Sequence, residues 1–394
     1  MTSASYDPYS PGFRDDPYPV YHRLRAEDPV HHHPMGFWVL TRYDDVARVL
    51  RDARFGRGGF GEILRARFGE EGVDRSMLFR DPPDHTRLRA LVNRAFTPRV
   101  VDAMRPRIQA IVDGLLDGLA GAGRMDLIAD FAYPLPITVI CEMLGVPAGD
   151  QREFRAWSAD IARSLDAIAM PGDPAIVERG NAARRALSDY FRVLIDERRR
   201  APRADLLSDL IAAEEQGDRL SEQELMATVL LLFVAGHETT VNLIGNGMLA
   251  LLRNPGELRR LRAEPGLATS AVEELLRYDG PVQRTGRVAA EEIEIGRTTI
   301  PKGGLVLSIL GAANRDPAHF PEPDRLDLAR ADNRHLAFGV GIHFCLGAPL
   351  ARAEGQIAIG ALARRLPRLA LATDRPAWRD ATALRGLAAL PVTF

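Results

Sequence analysis

Apolar residues recur at three- and four-residue spacing along most of the chain. "DDPYPVYHRLRAED", "YDDVARVLRD", "DHTRLRALVNRAF", "RVVDAMRPRIQAIVDGLLDGLA" and "AARRALSDYFRVLIDERRR" each put their apolar positions on one helical face. Alternating or short apolar runs are few: "GFWVLT", "TGRVA", "EIEIG", "GLVLSIL" and the closing "LPVTF" predict short strands. The pattern is that of an α-rich protein with a minor β region. One segment, 221–253, is apolar on nearly every side. It opens "SEQE", where Ser221 followed by Glu224 forms a capping-box signature, and it closes at Pro255, which cannot continue a helix. A helix over this span is about 48 Å long. Its middle reads "VAGHETTVN", so an acid and two hydroxyls fall at the centre of a buried element. Buried polar groups without partners are costly, and such a centre implies a local network or a chemical task.

The chain has 394 residues, with 46% hydrophobic and 26% charged positions and a net charge of −2. No repeat or long linker divides it, so residues 1–394 are expected to form one domain. The charge balance gives no reason to expect nucleic acid or a membrane as partner. The N-terminus lacks the basic-then-apolar layout of a signal peptide. The longest apolar run, Leu225 to Gly236, is about a dozen residues, short of the roughly 20 that span a bilayer. A cytoplasmic, monomeric protein is the expectation.

Only two cysteines occur. Cys141, in "ITVICEML", reads as an inert core thiol. Cys345 lies in "HLAFGVGIHFCLGAPLAR" between Gly341 and Gly347, just ahead of a predicted helix with Pro349 in its first turn. Helix N-terminal amides favour the thiolate, and the glycines permit close backbone approach to a flat or bulky group. A metal-ligating thiolate, a nucleophile and a plain buried thiol all fit Cys345 taken alone. The nucleophile would need a base; His343 is two residues away, with no third group to orient it. Two other patterns fail. "HETTV" has Val241 where a zinc helix needs its second histidine, and "GVGIHF" has Phe344 where a dinucleotide loop needs its third glycine. "HHH" at 31–33 lies along a predicted strand edge rather than in a metal site.

Five motifs in order resemble the cytochrome P-450 superfamily, in particular its short soluble bacterial branch. "FGVGIHFCLG" (Phe338, Gly339, Gly341, His343, Cys345, Gly347) is similar to the family's haem loop. "AGHETT" (Ala235 to Thr240) resembles its oxygen-activating helix. "EELLR" supplies Glu274 and Arg277 at Glu-x-x-Arg spacing, and "FPEPDRLD" supplies Arg325, which matches the arginine closing on that pair. "DPPDHTRLR" holds His85 and Arg89 in a segment resembling the one that grips a propionate.

The resemblance implies the triangular-prism fold as a single haem domain, with haem b (iron protoporphyrin IX) held by Cys345 as axial thiolate. It implies Gly341 and Gly347 close beneath the porphyrin, and His85, Arg89, Arg287 and His343 on the propionates, for which an arginine fork is well shaped. Ala235 and Gly236 would leave room for O2, with the helix bulging there. Thr239 would hold a water, and Glu238 would relay protons to the outer oxygen atom. Glu274, Arg277 and Arg325 would form a structural triad.

The implied activity is monooxygenation of a lipophilic small molecule, by hydroxylation or epoxidation, in secondary metabolism. Electrons would come from NAD(P)H through a ferredoxin reductase and a ferredoxin docking near Arg87, Arg94, Arg99 and Arg352. The alternatives are an H2O2-driven peroxygenase, which the Glu238/Thr239 pair argues against, and a non-catalytic haem-thiolate binding protein. The substrate walls are expected in the loop Gly58–Phe79, in 164–177 with a mobile lid at 171–174, around Leu232 and Phe233, in 281–285 and near Leu384. Arg284 is placed to meet a substrate carboxylate or to face outward.

Overall fold

A computed structural model describes residues 5–69, 75–168, 173–215 and 220–394. The chain packs as two compact units. One comprises 1–55, 101–135 and 239–394, the other 56–100 and 136–238. Residues 171–172 of the proposed lid and part of the 58–79 wall fall outside the described residues, while Asp173 caps, and Pro174 begins, the helix Pro174–Arg200. The rest of that wall is not a loop: it holds a helix, Phe60–Phe68, and a short 3-10 turn, Met77–Phe79.

In the first unit, strand Val30–His32 pairs antiparallel with Trp38–Leu40. The latter runs parallel to Leu305–Ile309, which pairs antiparallel with Arg284–Ala289, Arg287 facing Val306. Leu40 and Val306 are buried on the sheet face that packs with the Tyr43–Arg51 helix and its neighbours, and Val39, Leu307 and Ile309 are buried on the opposite face. That helix has Val46, Ala47, Val49 and Leu50 buried, while Asp44, Arg48 and Arg51 stay outside. The "EIEIG" and final "PVTF" expectations appear as strands Ile293–Ile295 and Pro391–Thr393. The second of these pairs with Arg124–Asp126, a strand its polar sequence does not announce.

Three helices of this unit cross closely: Ala268–Asp279, Ala348–Arg365 and the C-terminal half of Glu222–Arg253. Glycines set the spacing. A Cβ on Gly355 would come within 3.2 Å of Leu243 and 3.3 Å of Val272, and one on Gly247 within 3.1 Å of Leu275 and 3.3 Å of Ile359. Interiors packed to this density do not absorb an added methyl without strain.

The second unit is helical. Gln151–Ser164 packs along Pro174–Arg200, and Phe154, Tyr190, Phe191 and Phe233 form edge-to-face ring contacts 4.9–5.5 Å apart. The buried Arg198 is held by Asp205 at 2.8 Å and by the carbonyl of Gly145.

The long helix begins as its sequence dictates. Ser221 N–H donates to Glu224 Oε2 at 2.9 Å, Glu224 N–H donates to Ser221 Oγ at 3.2 Å, and the helix then runs Glu222–Arg253. It is unbroken α through Ala235 and Gly236, without the expected bulge. At 32 residues and a mean hydropathy of 1.4 it is long and apolar enough to cross a membrane, which the run-length reading did not anticipate, but 61% of its apolar window is buried inside the protein.

Candidate active site around Cys345

Residues 335–352 descend into the Ala348–Arg365 helix through a ladder of turns. Leu336 N–H donates to Asn314 Oδ1 at 2.6 Å, Gly339 N–H to Leu336 O at 2.8 Å, Phe344 N–H to Gly341 O at 3.0 Å and Cys345 N–H to Phe338 O at 2.9 Å. Gly341 has φ +80, and a Cβ there would lie 2.5 Å from the carbonyl oxygen of Leu50. Only glycine satisfies both conditions. Gly347 is the helix N-cap, at φ −80, so its lack of a side chain rather than its conformation is what the position can use. Cys345 is half-buried and lies two residues ahead of that cap. The apolar Ile342 and Phe344 beside it are 50% and 39% exposed.

On the long helix, residues 240–250 are all buried, as are His237 and Glu238. His237 Nδ1 lies 2.7 Å from Phe233 O, and its Nε2 lies 3.7 Å from Glu238 Oε1. Ala235, in mid-helix, is exposed, and Gly236 and Thr239 are half-buried. The helix does not bulge here, and a Cβ on Gly236 would meet Ile140 at 3.0 Å, so the glycine allows close packing against that side chain.

Helix Asp84–Asn93 buries His85 in its first turn and carries Arg89 one turn on, which puts both on one face. Arg287 is buried in its strand and donates to Gly286 O at 2.8 Å. Arg284 is buried rather than outward-facing, and donates to Thr382 Oγ1 at 3.0 Å.

One residue of the expected triad is replaced. Glu274 and Arg277, both fully buried, form two bonds of 2.7 and 2.8 Å. The second guanidinium on Glu274 belongs to Arg330, whose Nε lies 3.3 and 3.2 Å from the two carboxylate oxygens. Arg325 points out to Glu322 and Asp327, with its side chain 58% exposed. It contributes only its backbone carbonyl, which accepts from both Arg277 and Arg330 at 3.2 Å. The bend at Pro321–Asp327 brings main-chain acceptors inward and carries the Arg325 side chain out. Asn333 Nδ2 and Asp327 N–H complete the shell of Glu274 at 3.2 and 2.9 Å.

Two of the four arginines expected to dock a partner are already engaged. Arg87 binds Glu224 at 2.6 Å, and Arg352 binds Glu273 through two bonds of 2.7 Å. Arg94 and Arg99 are exposed. The three histidines at 31–33 do not converge: His31 pairs with Asp28 at 2.8 Å, His33 faces Tyr6 O at 3.1 Å and His32 stacks on Trp38.

Within the first unit, a sulfur donor on a glycine-shaped loop with exposed apolar side chains beside it, and the buried Arg287 guanidinium suited to a carboxylate, are groups that fit an iron porphyrin.

Comparison with known proteins shows the family of the chain. The family model for cytochrome P450 matches residues 30–367. The cytochrome P450 monooxygenase PikC of Streptomyces venezuelae is 47% identical, over 97% of this chain and 92% of PikC. The vitamin D(3) 25-hydroxylase of Pseudonocardia autotrophica is 46% identical, over 99% and 96%. Among solved structures, the myxobacterial cytochrome P450 CYP267B1 in complex with myristic acid superposes with a TM-score of 0.92 at 48% identity, covering 98% of each chain.

Proposed function

The chain belongs to the cytochrome P450 family and has its fold, and from that premise we propose that it inserts one atom of O2 into a lipophilic small molecule of secondary metabolism, by hydroxylation or epoxidation. The observation that carries this reading is Cys345 on a loop whose shape demands glycine at 341. When bound, haem b would supply dioxygen activation, which a thiolate ligand would favour. Each remaining task falls to a side chain of this chain. Cys345 would hold the iron as the thiolate. His85, Arg89, Arg287 and His343 would hold the propionates, and Gly341, Gly347, Ala235 and Gly236 would add no side-chain bulk near it. Thr239 holds a water and donates a hydrogen bond where protons are needed. The buried Glu238, with His237 beside it, passes protons toward that hydroxyl. Glu274, Arg277 and Arg330 hold the chain leading into the loop.

Residues 1–394 act as one haem domain, which the family match across 30–367 supports. Electrons come from NAD(P)H by way of a reductase and a ferredoxin. Arg94 and Arg99 are the arginines still available to such a partner, so Arg94→Glu with Arg99→Glu slows reduction if they serve it. The lipophilic substrate is supported by a vitamin D hydroxylase and a myristic acid complex among the relatives. The protein is expected in the cytoplasm.

The test is direct. The purified protein reduced under carbon monoxide gives the red-shifted Soret band of thiolate ligation, and lipophilic candidates titrated into the ferric form shift it to high spin. A preparation without that band overturns the reading.

A further inference from the structure

Glu273, next to the buried Glu274 but about 100° around the helix from it, holds the cysteine loop by both ends. Its carboxylate accepts two hydrogen bonds from Arg352, Nε and Nη2 each at 2.7 Å, seven residues after Cys345. The same carboxylate lies 3.1 Å from His335 Nε2, ten residues before Cys345. The tautomer is set by the backbone: Ala337 N–H donates to His335 Nδ1 at 3.2 Å, so the ring proton must sit on Nε2 and point at Glu273. Arg352 lays its guanidinium 4.6 Å from the centroid of Phe338, and Phe338 O accepts the N–H of Cys345 at 2.9 Å.

We propose that Glu273 is a positioning residue for the Cys345 thiolate: one carboxylate on the Ala268–Asp279 helix fixes the span from His335 to Arg352 and, through the Arg352–Phe338 contact, the carbonyl that bonds the cysteine amide. The proposal rests on the haem-thiolate reading above.

A purely stabilising role accounts poorly for this geometry. Arg352 and Glu273 are 31% and 24% exposed, and a partly exposed ion pair contributes little to stability. What the arrangement supplies is orientation: a two-point fork, a fixed imidazole tautomer and a ring held under a planar cation. The Arg352 guanidinium and the His335 ring N–H also keep the carboxyl ionised, their hydrogen bonds holding it at about 2 against the opposing effect of burial. The helix beneath is also anchored by its neighbouring residues Glu274 and Arg277, which are locked into their own buried network. Residues behind a metal ligand commonly change metal retention by about 10- to 100-fold.

The experiment uses the holoprotein with Glu273→Gln, Arg352→Lys and Phe338→Leu. Three quantities are read: the red-shifted carbon monoxide band, the ferric/ferrous midpoint potential, and the rate of haem transfer to excess apomyoglobin. Glu273→Gln and Arg352→Lys are expected to raise haem transfer about 10-fold, shift the potential, and move part of the band to the position of a neutral thiol. Phe338→Leu, which keeps the ion pair, is expected to give a smaller change in the same direction. If the variants lower the melting temperature while band, potential and haem transfer stay as in the wild type, the role is structural and the proposal fails. If Glu273→Gln does not fold, Arg352→Lys, which keeps the charge, decides between the same two results. A wild type lacking the red-shifted band defeats the underlying reading instead, and is told apart by that control.

Discussion

The two cysteines sit in regions built on opposite principles. Cys141 lies in Pro134–Leu144, a helix whose mean composition is strongly apolar, and it is fully buried. Burial pushes its thiol up to about 12, with Asp150 and Glu142 adding to the effect, so it stays protonated and inert. Cys345 lies in a loop of irregular backbone, half-buried, with two positive-φ glycines, Gly339 and Gly341, upstream and a helix N-terminus downstream. One residue type thus gives a core filler or a candidate ligand according to solvation and backbone shape.

That contrast is most sharply tested by removing each sulfur. Cys345→Ala is expected to abolish the red-shifted carbon monoxide band and all turnover. Cys141→Ala keeps both, and a denaturant titration should show only a core-truncation cost of about 1 kcal/mol. Equal loss in both variants would erase the distinction.

Next in size is the network behind the loop. Glu274→Gln leaves the buried Arg277 without its counter-charge and should cost about 3–5 kcal/mol in urea unfolding. Arg330→Ala should cost part of that, and Arg325→Ala should lie within about 0.5 kcal/mol of wild type. A large loss from Arg325→Ala would restore the sequence-based triad.

Loop shape itself is tested by Gly341→Ala, which combines a left-handed backbone with a 2.5 Å clash against Leu50 O. About 1–3 kcal/mol of destabilisation is expected, together with reduced haem retention.

The remaining effects are pH-dependent and have opposite signs on two acids. Glu273 is held at about 2, below its ordinary 4.5. Its contribution to stability is therefore complete above pH 4.5 and is lost as pH falls toward 2. Glu354, fully buried in the Ala348–Arg365 helix with neither carboxylate oxygen hydrogen-bonded, is pushed up to about 8 by desolvation. It folds most readily when protonated, so it penalises the folded state progressively between pH 4.5 and 8. Glu354→Gln should flatten the alkaline limb of the stability profile, and Glu273→Gln the acid limb. Unchanged profiles would show that neither environment perturbs its carboxyl as described.

Local pattern was legible where the physics is local. The capping box at Ser221/Glu224, the stop before Pro255 and the amphipathic helix Tyr43–Arg51 each depend on a few neighbouring residues, and each appears in the structure. Strand Arg124–Asp126 was not legible because its pairing comes from Pro391–Thr393, more than 260 residues away.

What the sequence determined by itself was therefore the set of elements and the chemical types at the site: one exposed-loop thiol, an acid–alcohol pair on a long apolar helix, and a Glu-x-x-Arg pair one turn apart. What only the tertiary structure decided was partner choice among interchangeable cations. In an arginine-rich chain, several guanidinium groups lie within reach of a given carboxylate by sequence. The backbone path selects among them, sending Arg330 inward to Glu274 and Arg325 out to solvent, and setting Arg352 on Glu273. Charge–charge attraction is non-directional and identical for each candidate, so only the folded geometry can break the tie.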